Sequence, residues 1–179
     1  HANSVLLVID FINDIVHPDG KFSSAAAYVK EHQVIGHTNK AIAKARERKI
    51  PILFVKLGFS ASYLEWPSNS PLYSRVKELK ALKLNTWGTE LHQELNFQSN
   101  DIVILKHRVS AFYATGLETF LRANQMSQLY ICGVSTDLTV QTTAREAHDR
   151  DYDVVIIQDA CGAMTQEIHA NTIKSLERI

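Results

Sequence analysis

Two side chains in this 179-residue sequence have the types needed to move a proton, and each stands at the end of an apolar run. Asp10 directly follows Val5-Leu6-Leu7-Val8-Ile9, and Lys106 directly follows Ile102-Val103-Ile104-Leu105. A carboxylate beside an ammonium in a partly dry cleft stays charged and can transfer protons. A structural ion pair, or an aspartate that caps a helix, would use the same residues. A third polar group lies in Gly133-Val134-Ser135-Thr136-Asp137-Leu138-Thr139, which leads from the apolar run Leu129 to Cys132 into an amphipathic stretch. Free backbone N–H groups at a helix start, aided by its dipole, can hold a developing oxyanion. Capping of that helix by Thr136 or Asp137 is the plainer alternative. Asp159 follows a last apolar run, Val154 to Ile157.

These positions gain meaning from the elements that carry them. Val5 to Ile9 has no polar alternation, as expected of a strand covered on both faces of a parallel sheet. Further strands are read at Ile52 to Val55, opened by Pro51, and at the runs ending before Lys106, Gly133 and Gln158. Between them, Ser24 to Arg48 reads as one helix with Ala27, Val34, Ile35, Ala41 and Ala45 along one side, weakened in its middle by Gly36. Thr115-Gly116-Leu117-Glu118 has the pattern of a capping box ahead of Phe120 and Leu121. Helices are also expected from about Asp137 to Arg150 and from about Gln166 to Arg178. Strand and helix in alternation predict an α/β fold: a three-layer, doubly wound, Rossmann-like parallel sheet with right-handed crossovers. Such sheets bind ligands beyond the carboxyl ends of their strands, where Asp10 and Lys106 can meet. Lys56 to Asn100 breaks the alternation, with Trp66, Pro67, Pro71 and Trp87 among many Ser and Asn residues. It reads as long loops with short helices near Tyr73 to Lys80 and Thr89 to Leu95, serving as a substrate cover, an oligomer contact or a plain surface excursion.

Composition limits the function classes. Lys plus Arg is 19 and Asp plus Glu is 19, so the formal net charge is +0. That excludes the basic footprint of a nucleic-acid binder and the acidic excess of a solvating, disordered chain. Hydrophobic residues at 45% and charged residues at 21% are a globular mix, and the length suits a single domain over residues 1–179. Such a chain should bury about 70% of its unfolded surface without disulfides. Cys132 and Cys161 are far apart and form no disulfide framework, which suggests reduced thiols and a cytoplasmic setting. No apolar run is long enough to span a bilayer, no leader pattern is visible, and His1 reads as a processed or tagged start.

Taken in order, Leu6-Leu7-Val8-Ile9-Asp10 with Asn13-Asp14, Lys106-His107-Arg108-Val109-Ser110-Ala111-Phe112, Cys132 to Asp137, Thr143 to Ala147 and Asp159-Ala160-Cys161 resemble the isochorismatase-like hydrolase superfamily. The resemblance runs from about Val5 to Met164. It implies a parallel sheet of about six strands with flanking helices, although the family's closing strand has no clear counterpart before Ile179. It also implies a triad of aspartate, lysine and cysteine, mapping to Asp10, Lys106 and Thr139, where threonine stands in the nucleophile's place. Cys132 is no substitute, because it precedes the turn. The family's cis peptide maps to Val134–Ser135, with Ser135 and Thr139 as backbone donors to an oxyanion. Ile12 stands where many members have glutamine, and Lys56-Leu57-Gly58-Phe59 lacks the metal-binding histidines of the nicotinamidase-like branch. Neither a metal nor another cofactor is therefore expected, and histidines such as His107 and His148 are read as surface or supporting residues.

A threonine hydroxyl is far less acidic than a thiol and needs an adjacent base. The isochorismate-cleaving branch also lacks the cysteine; there an aspartate is thought to protonate a vinyl ether and water completes the hydrolysis. The expected function is accordingly a cofactor-independent small-molecule hydrolase. Asp10 would transfer the proton, Lys106 would hold Asp10 and stabilise negative charge, and Thr139 would line the pocket. Arg108, Phe112, Tyr113 and Trp87 are candidate contacts to an anionic or aromatic-sized substrate. The alternatives are an amidase-type C–N hydrolase using Thr139, and an inactive small-molecule-binding protein. Partners beyond the small-molecule substrate are expected to be further copies of the chain, with no nucleic acid and no membrane.

Overall fold

The computed structural model describes residues 3–179. Five strands form one parallel sheet: β1 (Ser4–Ile9), β2 (Ile52–Leu57), β3 (Ile102–Lys106), β4 (Gln128–Val134) and β5 (Asp153–Gly162), in the order β3-β2-β1-β4-β5. The helices are α1 (Asn13–Val16), α2 (Ala26–Glu31), α3 (Val34–Glu47), α4 (Val76–Leu79), α5 (Leu117–Ala123), α6 (Gln141–Asp149) and α7 (Gln166–Leu176). The predicted doubly wound α/β architecture is present, with five strands among the described residues where about six were expected.

The apolar run of β1 is buried along its whole length. Its side chains divide by the pleat: Leu6 and Val8 join the core under α2 and α3, while Val5, Leu7 and Ile9 join the core under α5 and α6. Burial on both faces explains why the run shows no polar alternation. Strand order reverses beside β1, whose neighbours are β2 on one side and β4 on the other. A crevice opens at such a reversal, because the connections leave on opposite faces. Ile9 pairs with both Val55 and Gly133, so Asp10 and the turn after β4 emerge next to one another. Leu57 pairs with Lys106, which places that lysine at the same end of the sheet.

Several local expectations need correction. The single helix over Ser24 to Arg48 is two, α2 and α3, divided where Gln33 takes the left-handed conformation (φ 52°) and His32 stacks on Tyr28. The break, not Gly36, interrupts the stretch, since Gly36 lies inside α3. Thr115 is not the cap of α5; Gly116 occupies that place, and the Thr115 hydroxyl accepts from Leu117 N and donates to Ala111 O. Glu118 turns instead to Arg150 and Tyr152, an ion pair and a hydrogen bond both at 2.7 Å. β5 runs on to Gly162, so Asp159 lies within the strand and pairs with His37 at 3.5 Å, away from Asp10. Thr89 to Leu95 is not helical; Leu91 bridges Ile12 in antiparallel fashion.

The excursion between β2 and β3 holds only α4 and a 3-10 turn, Trp87–Thr89, yet it is firmly tied to the segment after β1. The Asp14 carboxylate accepts from Leu82 N at 2.7 Å and Lys21 N at 3.1 Å, and Asn13 Nδ2 donates to Trp87 O at 2.9 Å. Tyr63 Oη donates to Ala81 O, and Trp66 Nε1 to Tyr73 O. These bonds lay the excursion over the carboxyl end of the sheet.

Candidate active site

Asp10 leaves β1 in the left-handed backbone region (φ 64°), a conformation that aspartate tolerates better than most residues. Its backbone N–H still donates to Val55 O at 2.8 Å, while the carboxylate reaches across the sheet end. Oδ1 accepts from Leu57 N at 2.9 Å. Oδ2 accepts from Lys106 Nζ at 2.9 Å and from Thr139 Oγ1 at 3.2 Å. Asp10 and Lys106 are both 0% exposed. Burial raises the Asp10 pKa above its ordinary value, against the opposing pull of Lys106, Thr139 and the Leu57 N–H. Lys106 Nζ also donates to Arg108 O at 3.0 Å and Val109 O at 2.9 Å. Its three N–H groups are thereby all used.

Thr139 sits in a single π turn, Thr136–Val140, that precedes α6. The peptide bond between Val134 and Ser135, at the entry to that turn, is cis. The turn closes through Val140 N to Ser135 O, and Thr136 Oγ1 lies 2.7 Å from His169 Nδ1, which pins the turn to α7. A cavity of about 110 Å³ opens on this end of the sheet, with Asp10, Thr139, Ser135, Ser24 and Tyr73 as its polar lining. Ile15, Phe22, Leu57, Leu72, Val109 and Leu138 are among its apolar walls. Charged and hydroxyl groups are thus gathered in a small, largely apolar pocket, a setting in which proton transfer and oxyanion stabilisation are effective.

Asp10, Lys106, Thr139 and Ser135 therefore come together, as their positions after the strands suggested. The proposed substrate contacts do not. Phe112 is a core residue, stacked on Tyr152 and covered by Arg150. Tyr113, 61% exposed, is not among the residues lining the cavity. Trp87 packs edge-on against His17 and is not among the residues lining the cavity. Arg108 does not line the cavity; its Nη1 donates to Glu65 O and His107 O, both at 2.7 Å. The chain after β3 curls round Lys106 Nζ through the Arg108 and Val109 carbonyls, so that Val109 lines the cavity while the Arg108 side chain is held by Glu65 O and His107 O. Sequence reasoning missed Tyr73, which lines the cavity from an excursion with no periodic pattern to mark it. It also missed Leu57, because a backbone donor carries no side-chain signature.

Neither sulfur is placed to attack. Cys132 and Cys161 are buried in β4 and β5, outside the cavity lining, and burial pushes Cys161 up to about 12 and Cys132 well above its ordinary value. Among the described residues no group of three or more His, Cys, Asp or Glu side chains is arranged to hold a metal ion. No described helix is long and apolar enough to cross a membrane.

Residues 4–179 match the isochorismatase domain. The chain belongs to the isochorismatase family. It is a hydrolase of that family, whose match spans the sheet, the excursion and the π turn alike. It is 34% identical over 147 residues to the isochorismatase family protein YecD of Escherichia coli, covering 80% of this chain and 74% of that one. It is 29% identical over 190 residues to the ureidoacrylate amidohydrolase RutB of Methylobacterium radiotolerans, covering 98% of this chain and 74% of the relative. A crystal structure of an isochorismatase family protein from Desulfovibrio vulgaris superposes with a TM-score of 0.87 at 26% identity, covering 98% of this chain and 90% of that one.

Proposed function

We propose that the protein hydrolyses a C–N bond in a small molecule without a cofactor, with Asp10 as the group that moves the proton. The observation that carries this reading is the buried carboxylate itself: it is held by Lys106 and Leu57 N–H, and it faces a small cavity through the Thr139 hydroxyl. Asp10 takes the proton of an attacking water and later returns it to the leaving nitrogen. Lys106 keeps the carboxylate oriented and ionised, and acts on the substrate only through it. Thr139 stands where the resemblance places a nucleophilic cysteine, and its hydroxyl orients the water. Similarity to an amidohydrolase favours the C–N bond over the vinyl ether of isochorismate. The residues of this site, its single domain over 1–179, its cytoplasmic setting and its assembly as a homo-oligomer belong to the same proposal. The two buried, unpaired cysteines fit a reducing compartment.

A second reading has Thr139 attack directly. It is favoured by the 3.2 Å hydrogen bond from Thr139 Oγ1 to Asp10, the geometry of a hydroxyl beside its base.

The test is turnover of a panel of small amides, ureides and isochorismate by the wild type and by Asp10→Asn, with folding checked by circular dichroism. The expected result is amide or ureide turnover in the wild type and a loss of at least about a hundredfold in the folded variant. A folded Asn variant as active as wild type would remove Asp10 from the mechanism. Turnover of isochorismate alone would move the reaction to vinyl ether cleavage. An adduct on Thr139, found by mass spectrometry after acid quench, would select the second reading.

A further inference from the structure

Of the four tyrosines that are buried, three spend their hydroxyls inside the fold. Tyr28 Oη donates to Gln166 Oε1 at 2.9 Å, Tyr63 Oη to Ala81 O at 2.7 Å and Tyr152 Oη to Glu118 Oε2 at 2.7 Å. Tyr73 is as buried as these, at 3% exposed, and its hydroxyl has no hydrogen-bond partner among the described residues. It is also the one of the four that lines the Asp10 cavity. The rest of the residue is fixed: its N–H donates to Ser70 Oγ, its carbonyl accepts from Trp66 Nε1, and its ring packs against Phe22 and Phe59. The Tyr73 hydroxyl is not sealed like the buried Arg46 Nε, and it is free to bond whatever enters the cavity its residue lines.

The charge around the cavity adds a second constraint. Its lining includes no Lys, Arg or His among the described residues. Lys106 has no N–H left, and Nη1 of Arg108 is committed to two backbone carbonyls. A carboxylate brought into this space would meet the Asp10 charge with no cation in the cavity lining to pair with. The volume, about 110 Å³, is below the roughly 150 Å³ of an apolar cavity that holds benzene, so the enclosed end of a ligand has about four or five non-hydrogen atoms.

We propose that the Asp10 cavity selects substrates whose reacting end is small and uncharged, and that the Tyr73 hydroxyl is the side-chain donor that binds that end's carbonyl oxygen. This rests on the reading of the Asp10 cavity as the active site. An amide or ureide group supplies what the lining lacks, an acceptor for Tyr73 without a charge. Burial and the neighbouring Asp10 charge raise the phenol above its ordinary pKa, against the smaller opposing pull of Arg108, so it remains a donor across the neutral range. The bond from Tyr73 holds the carbonyl while Asp10 serves the attacking oxygen, which divides binding and proton transfer between two sides of one pocket.

The test compares propionamide with propionate, which match in size and differ in charge, by ligand-observed NMR titration of wild-type protein and Tyr73→Phe. Wild type should bind propionamide at least about tenfold more tightly than propionate. Tyr73→Phe should weaken propionamide by up to about tenfold, the loss of one hydrogen bond, with an unchanged melting temperature. On any amide the enzyme turns over, the same variant should raise KM more than it lowers kcat. Equal or tighter binding of propionate, no detectable binding of propionamide, or wild-type affinity in Tyr73→Phe would overturn the proposal. Binding is read without turnover, so the outcome is separable from that of Asp10→Asn. Tyr73-dependent amide binding in a protein whose Asp10→Asn form stays active would sink the mechanism and leave this selectivity standing.

Discussion

Asp10 and Lys106 are both sealed from water, and desolvation works against each charge. What offsets it is the completeness of their bonding: Asp10 accepts three hydrogen bonds and Lys106 gives three. The net effect of burial on Asp10 is a pKa above its ordinary value of 3.8. A proton-accepting Asp10 must be ionised before it acts. The pH profile of kcat/KM should therefore rise along one ionisation whose midpoint lies above 3.8. A profile that falls with pH in that interval would make Asp10 an acid instead, and would count against C–N hydrolysis as drawn here. The stability linkage has the opposite slope. The folded state binds this proton more tightly than the unfolded chain, so the contribution of Asp10 to stability declines as pH rises from the unfolded value to the folded one.

At the scale of elements, the site depends on an excursion with almost no regular structure. Its position is set by α1, a single helical turn whose Asp14 carboxylate is 3% exposed and accepts from Leu82 N and Lys21 N. Gly88 shows how close that packing is, since a Cβ there would collide with Asp14 Oδ2. Asp14→Ala would leave two backbone donors without acceptors, one of them in the interior, at a cost of about 2–5 kcal/mol. We expect a lower denaturation midpoint and earlier proteolytic cleavage within residues 60–90. A variant as stable and as resistant as wild type would show that the excursion is held by something else. The break between α2 and α3 and the misassigned cap at Thr115 belong to this scale too. The lost cap follows from side chains meeting distant partners, as Glu118 meets Arg150 and Tyr152 instead of the start of its own helix, and the break falls where Gln33 takes the left-handed conformation.

At the scale of the molecule, the β3 edge is open to solvent. Parallel strands are normally covered on both faces, yet Ile102, Val103 and Leu105 are 46%, 38% and 44% exposed. An apolar edge with free backbone donors and acceptors is a template for association, and natural proteins blunt such edges with charge. We expect the protein to self-associate through this edge, and Val103→Lys with Leu105→Lys to shift it toward the monomer in sedimentation velocity. A monomeric wild type at tens of micromolar would refute this.

Much of the architecture was legible in the chain because it rests on local patterns. An unbroken apolar run needs cover on both faces, and a polar residue at its end must emerge where such sheets bind ligands; Asp10 and Lys106 were readable for that reason. The substrate contacts were not. Phe112 and Trp87 have the chemistry of ligand contacts, and only the path of the backbone shows that one is core and the other packs on His17 outside the cavity lining. Tyr73, with no periodicity around it, is held at the cavity by a hydrogen bond from Trp66 and by ring packing against the distant Phe22 and Phe59. The type and order of the reacting groups are properties of the chain itself, since strands and their ends are set by neighbours in sequence. The enclosure of those groups, and so the ligands they can accept, is decided by long-range packing, because burial and hydrogen-bond satisfaction depend on which distant segments the folded chain brings together.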